Sequence, residues 1–246
     1  MFVRRENHYE FLSTWVVDNL WLSDKIGRIT IVGIRGSNMF TEKSFEVFDI
    51  DGLDERMAAI RQEVQPTFQQ LDEVFQQELE PLLDEKLFIH IAQHRRRTTY
   101  PPENTWSALS RQKRGYKMEP HFQLGIWPEY VFMWLSCIDQ PKEEKAIAQI
   151  LLDHPEIFEN LSPDFVLSGD HTKPKVEELS PERIEKLLIR FRDVKKGEFQ
   201  IGRIIKREDP IWKNPQAAQA FMVETYKQLV PIYQLAKQAS FAQVEN

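Results

Sequence analysis

Between Leu87 and Ile138, four strand-like segments follow one another with no helix between them. Leu87-Phe-Ile-His-Ile-Ala92 alternates, with Leu87, Ile89 and Ile91 on one side and Phe88 and His90 on the other. Thr105 to Leu109 reads as a short strand. His121 to Trp127 alternates again, with Phe122, Leu124 and Ile126 facing one way. Tyr130 to Ile138 is apolar throughout, as expected of a central strand covered on both faces. Only Pro128-Glu129 separates the last two segments, so they should pair as an antiparallel hairpin. Parallel neighbours would need a long crossover between strands. This run therefore argues against a doubly wound parallel sheet. It predicts an α+β fold, a mostly antiparallel sheet with helices packed on one face, in a single domain.

The flanking sequence supplies the other elements. Ser44 to Asp49 alternates with period two through Phe45 and Val47 and reads as a strand. Leu53, Met57, Ile60 and Val64 begin an acidic helix over 51–85, which Pro66 should kink. Further helices are expected from Pro141, at 155–161, after Ser180-Pro181, and from Asn214-Pro215. Strands are expected at Phe165 to Ser168 and at Glu198 to Lys206. Residues 1–38 read differently, as an N-terminal extension that does not belong to the domain. Phe11, Trp15 and Leu22 could share a helical face there, and 28–34 could be a short strand. Met39 is a candidate native start, because Arg35-Gly-Ser37 can be encoded by a purine-rich run resembling a ribosome-binding site. The domain is then 39–240, with 241–246 as a tail.

The net charge of −6 gives no bulk attraction for polyanions, but its distribution is uneven. Residues 86–127 hold eight Lys and Arg against two acids, leaving 24 basic and 36 acidic residues elsewhere. The single cysteine, Cys137, excludes a disulfide framework and suits a reducing cytoplasm as a small buried hydrophobe. No apolar stretch approaches the roughly 18 to 20 residues that span a bilayer, and no secretory signal is apparent, so no membrane partner is expected. No glycine-rich phosphate loop, nucleophile elbow or zinc-type Cys/His spacing occurs. No cofactor or metal is expected.

Two groups of residues could carry chemistry. The first is an anion site: His94, Arg95, Arg96, Arg97, Arg111, Arg114 and Lys117 lie in loops leaving neighbouring strands. Guanidinium groups hold phosphate or carboxylate through paired hydrogen bonds. Trp106, Tyr116 and Trp127 interleave with these cations and could stack on a planar ring. The bland alternative is that the arginines pair with the acidic helix. The second group is polar: His90 on one strand, His121 and Gln123 on another, and Asp170, His171 and Lys173 after a later one. Gly125 beside them would leave room for a ligand. His121, Asp170 and His171 could serve acid-base chemistry if they converge. Otherwise Asp170 caps a turn and His171 bonds locally.

Several motifs resemble a known family: Phe45-Glu-Val-Phe-Asp-Ile-Asp-Gly-Leu-Asp-Glu-Arg-Met57, His94-Arg-Arg-Arg-Thr98, Pro101-Pro102, Thr105-Trp106, Arg114-Gly-Tyr-Lys117, Pro120-His-Phe-Gln-Leu-Gly-Ile-Trp127 and Ser168-Gly-Asp-His-Thr-Lys-Pro174. Together they are similar to the YktB-like family of uncharacterised proteins from Gram-positive bacteria, over about 39–239. The resemblance implies a single soluble, cytoplasmic α+β domain and brings no activity or site residues. From the residues, the function expected first is binding of a small anionic or nucleotide-like ligand in a basic, aromatic-lined pocket; nucleic acid is a weaker candidate. The alternatives are a hydrolase or transferase using His121, Asp170 and His171, and a structural or protein-interaction module.

Overall fold

The computed structural model describes residues 39–139 and 141–239. The expectations for 1–38 and 241–246 lie outside these described residues. Seven strands form one sheet in which every neighbouring pair is antiparallel. They are β1 (Phe88–Ile91), β2 (Thr105–Ser110), β3 (His121–Ile126), β4 (Tyr130–Cys137), β5 (Val166–Ser168), β6 (Glu177–Glu178) and β7 (Phe199–Lys206), in the order β1-β2-β3-β4-β7-β5-β6. The β3–β4 hairpin forms as expected, and β4 takes the middle position. The α+β fold read from the sequence is the one observed.

The Ser44–Asp49 expectation is corrected. This segment is helix α1 (Glu42–Glu46) followed by a 3₁₀ turn (Val47–Asp49). Ser44, Phe45, Val47 and Phe48 are all buried, so the apolar spacing is helical once Phe48 is counted. Ser44 also accepts a hydrogen bond from the Thr41 N–H at 3.1 Å, fixing the first turn. The long acidic helix is α2 (Leu53–Ala59), a π turn (Ile60–Val64) and α3 (Gln65–Leu83). The widened turn lies just before Pro66, whose missing N–H interrupts regular α bonding. Helices α4 (Glu144–Asp153), α5 (Pro181–Asp193) and α6 (Pro215–Gln238) follow, with Ser180 and Asn214 capping the last two. No helix among the described residues is long and apolar enough to cross a membrane.

The helices bury one face of the sheet. Leu109, Phe122, Leu124, Ile126, Met133, Leu135 and Ile201 meet Phe68, Leu71, Phe75, Met222 and Tyr226 in one continuous core. This is the face predicted by the alternation in β3. Two charge-bearing side chains are buried on it, Arg203 of β7, which lies over the Phe221 ring and pairs with Asp164 at 2.7 Å, and Asp72. Asp72 of α3 is buried, and burial pushes its carboxyl up to about 8, while the Ser107 hydroxyl lowers it only in part.

The folded-state value for Asp72 lies above the unfolded value of 3.8. Its contribution to stability is therefore fully present below pH 3.8 and is lost as pH rises toward 8. Asp72→Asn keeps the shape and cannot ionise. It should stabilise the protein at pH 8, with a gain over wild type that shrinks as pH is lowered toward 4. Urea denaturation across that range measures this; a gain independent of pH would contradict the assignment.

Candidate functional site

The second face of the sheet carries no α-helix core, yet it is buried. Every residue of β4 is buried, including Phe132, Trp134 and Ser136, which point away from the helices. On this face the strands contribute two kinds of row. One is polar: His121 pairs with Ser136, Ser136 with Gln200, and Gln200 with Ser168. The other is aromatic: Trp106 pairs with Gly125, and Gly125 with Phe132. Trp127, Tyr130, Phe132 and Trp134 form a second, smaller core, with Trp106, Val166, Val176 and Ile204 packed on it.

Gly125 does not open space for a ligand, as its place in the sequence suggested. A Cβ there would lie 2.0 Å from the ring of Phe132, which already fills the place. At Gly202 an added Cβ would lie 1.8 Å from the backbone oxygen of Met133 and 2.8 Å from a ring carbon of Trp134. Gly125 thus seats a large ring from β4 flat against the sheet, and Gly202 admits close backbone approach.

Two loops cover this face. In the first, Gly115 adopts φ +73° and starts a 3₁₀ turn, Tyr116–Met118. That turn lays Tyr116 between His90 and His121, each with ring centres 5.0 Å away. Tyr116 Oη accepts a hydrogen bond from Trp106 Nε1 at 2.9 Å. Lys117 Nζ sits 5.4 Å from the Trp106 ring centre and pairs with Asp139 at 3.1 Å. The second loop, 169–176, is anchored twice. Tyr130 Oη donates to Pro174 O at 2.6 Å, and Glu198 accepts from both His171 N and His171 Nδ1 at 2.7 Å. Glu198 also accepts at 3.3 Å from the backbone N–H of Asp139, whose side chain pairs with Lys117 of the first loop. Asp139 and His94, both beside this mouth, hold positive φ values of 61° and 48°. His94 packs edge-on against Trp106, and burial lowers its imidazole to about 4.

Between the loops lies a cavity lined by Trp106, Gln123, Trp127, Trp134, His171, Lys173 and Gln200. Its volume is about 10 Å³, which accommodates roughly one water molecule. Five sequence-predicted residues thus share one cavity: Trp106, Gln123, Trp127, His171 and Lys173. Tyr116 and Lys117 stand at its edge through Trp106. Trp127 is 5% exposed and packs inside the aromatic cluster, so its face is not offered to a stacking ring in this form.

Other candidates go elsewhere. Arg95, Arg96, Arg97 and Arg114 are exposed, and among the described residues they make no ion pair, with the acidic helix or otherwise. Arg97 caps its own loop through Tyr100 O and Pro101 O at 3.3 Å. Arg111 instead pairs with buried Glu119 at 2.7 Å. Asp170 and His171 lie together with Glu198, while His121 packs edge-on against Tyr116. Asp170 Oδ1 is used by Thr172 N and Oγ1, closing a local turn. His121 is fully buried, its Nδ1 against Glu119 O at 2.9 Å, and burial lowers its imidazole to about 3. The ring is therefore neutral, donating from Nδ1, and its Nε2 has no partner. The partner of His171 is Glu198, which no sequence motif singled out, and Gln200 went unmarked as well. Extending the period-two alternation of Phe199 and Ile201 would have placed Gln200 on this face; nothing local marked Glu198. Asp170, His171 and Glu198 offer ligand atoms within 4.8 Å of one another. The Glu198 oxygens and Asp170 Oδ1 already accept from N–H and O–H donors, which tie down the loop locally.

An antiparallel sheet with helices on one face and a loop-covered polar and aromatic site on the other defines the class. A family model described as "Domain of unknown function (DUF1054)" matches residues 40–233. A UPF0637 protein of Enterococcus faecalis is 61% identical over 198 residues, 80% of this chain and 98% of the relative. UPF0637 protein YsbB of Lactococcus lactis is 49% identical over 197 residues, 80% of this chain and 98% of the relative. A UPF0637 protein of Listeria monocytogenes is 38% identical over 202 residues, 81% and 98% of the two chains. The chain belongs to this DUF1054/UPF0637 family of uncharacterised proteins, in agreement with the resemblance drawn from its motifs.

His121 is neutral in the fold and titrates at 6.5 when unfolded. The stability linked to it is present above pH 6.5 and lost as pH falls toward 3, by up to about 1.4 kcal/mol per pH unit. His121→Asn retains a donor for Glu119 O without that titration. The stability advantage of wild type over the variant should shrink between pH 7 and pH 4 in denaturant titrations; a constant difference would show that His121 is not the group responsible. Gly125→Ala should cost about 1–3 kcal/mol, because the Phe132 ring must move. A melting temperature equal to wild type would contradict the ring-seating role.

Proposed function

We propose that this protein binds a small anionic ligand at the mouth of the cavity on the second face. Lys173 and Lys117 supply positive charge, His171 and Gln123 hydrogen bonds, and Trp106 an apolar edge. The observation that carries the reading is Gln200. Its side chain is buried, lines the cavity, and its Oε1 has no partner in the protein. A buried acceptor of this kind costs about 1–3 kcal/mol unless a donor reaches it. A ligand hydroxyl or protonated phosphate oxygen is such a donor.

The closed cavity admits nothing as large as a nucleotide. Binding one requires loop 169–176 to part from Tyr130 and Glu198. The Lys117–Asp139 pair is no obstacle, since exposed pairs of this kind contribute only about 0–1 kcal/mol. A cytoplasmic location fits the single cysteine, which is buried and forms no internal disulfide.

A second reading rests on the His171–Glu198 pair. A carboxylate that holds Nδ1–H orients the imidazole and leaves Nε2 as a general base. In this reading the protein is a hydrolase or transferase, with Glu198 in the role that the sequence offered to Asp170.

Titration of isotope-labelled protein with inorganic phosphate and with a nucleoside monophosphate separates these outcomes. Binding should be saturable, should shift the Trp106 indole and Gln200 side-chain resonances, and should weaken about tenfold, near 1.4 kcal/mol, in Lys173→Ala. Shifts that never saturate, or that bypass Trp106 and Gln200, would refute the site. Turnover of a bound ester that His171→Ala abolishes while binding persists would favour the enzyme.

A further inference from the structure

A second cavity lies behind the same loop. It is bounded by loop 169–177 on one side and helix α5 on the other, with a volume of about 320 Å³. That is the lower range of small-ligand pockets. Its floor is apolar, from Leu167 and Leu187, and its walls are strongly basic.

The basic residues come from two elements. Arg183, Lys186 and Arg190 follow one another at helical i, i+3, i+7 spacing along one face of α5. Lys173 and Lys175 face them from the loop. Five cations therefore converge, against Asp170 and Glu177 among the lining residues, in a protein of net charge −6. Two of the five have acidic partners: Lys175 with Glu177 at 3.1 Å, and Arg183 with Glu178 at 3.3 Å. Asp170 is engaged with Thr172. Arg190 donates only to a neutral carbonyl, Gly169 O, at 3.1 Å. Lys173 and Lys186 have no ion pair among the described residues. Like charges spaced along a helix face repel by a few tenths of a kcal/mol per pair, and opposing cations across a groove add to this. An anion in the groove offsets these repulsions with an attraction to each cation.

We propose that this groove binds a phosphate-bearing small molecule. Arg190 and Lys186 hold the phosphate, with Lys173 closing from the loop, and Leu167 and Leu187 pack against the apolar part of the ligand. Arginine forks suit phosphate oxygens better than point charges do. The groove is separate from the cavity on the second face, although Ser168 and Lys173 border both.

The test uses the full chain and inorganic pyrophosphate, by calorimetry at low and moderate salt. The expected result is saturable binding at one groove, weakened at least tenfold in Lys186→Glu and further in Lys186→Glu/Arg190→Glu. Both side chains are exposed, so the variants should keep the wild-type melting temperature. Lys186→Ala serves as a milder second variant if the charge reversal perturbs folding. Pyrophosphate bound with wild-type affinity by these variants but lost in His171→Ala would place the anion in the other cavity and overturn the proposal. Absence of saturable binding into the millimolar range would overturn it as well.

Discussion

A central strand buried on both faces forces the rest of the architecture. β4 has no exposed residue, but helices cover only one side of it. The other side must be closed by loops, and loops bring polar backbone. Buried polar groups need partners. The second face accordingly carries a row of Ser, His and Gln side chains, and much of that row is satisfied locally. Ser136 Oγ donates to Gln123 Oε1 at 2.9 Å, and Ser110 Oγ to Glu119 Oε1 at 3.3 Å. The covering loops attach through Tyr116 and Lys117 on one side, and through His171 and the Pro174 carbonyl on the other.

The candidate site is a consequence of that cover. The loops meet over Trp106, and two of the side chains that pin them, Tyr130 and His171, also line the cavity. Glu198 illustrates the economy of this arrangement. One carboxylate holds the backbone and ring of His171 and the backbone of Asp139, so it fixes both rims at once. Movement of loop 169–176 changes both cavities together, because it forms a wall of each.

The antiparallel character of the sheet was legible in the sequence because alternation in β1 and β3, and its absence in β4, follow directly from which faces are buried; the insertion of β7 between β4 and β5, and the short β6, were not. The antiparallel hairpin followed from the two residues between β3 and β4. Where a segment was short, the pattern was ambiguous: Phe45 and Val47 fit a strand, and only Phe48 shows the spacing to be helical. The site was partly legible. Trp106, which the sequence grouped with the basic loops, lines the same cavity as Gln123, His171 and Lys173. Glu198 was hidden, since its role depends on a contact with His171 across 27 residues. The filling of Gly125 by Phe132 was hidden too, because a glycine looks the same in sequence whether a ligand or a side chain occupies its space. The basic stripe of α5 has ordinary surface composition, and only the loop opposite turns it into a groove.

The central claim is that the second face is a ligand site beneath a loop that can open. A crystal structure of the protein with a nucleoside monophosphate tests it most directly. Ligand density is expected against Trp106, Lys173 and Gln200, with loop 169–176 displaced from Tyr130 and Glu198. Density elsewhere on the molecule, with that loop still closed on Glu198, would contradict the claim.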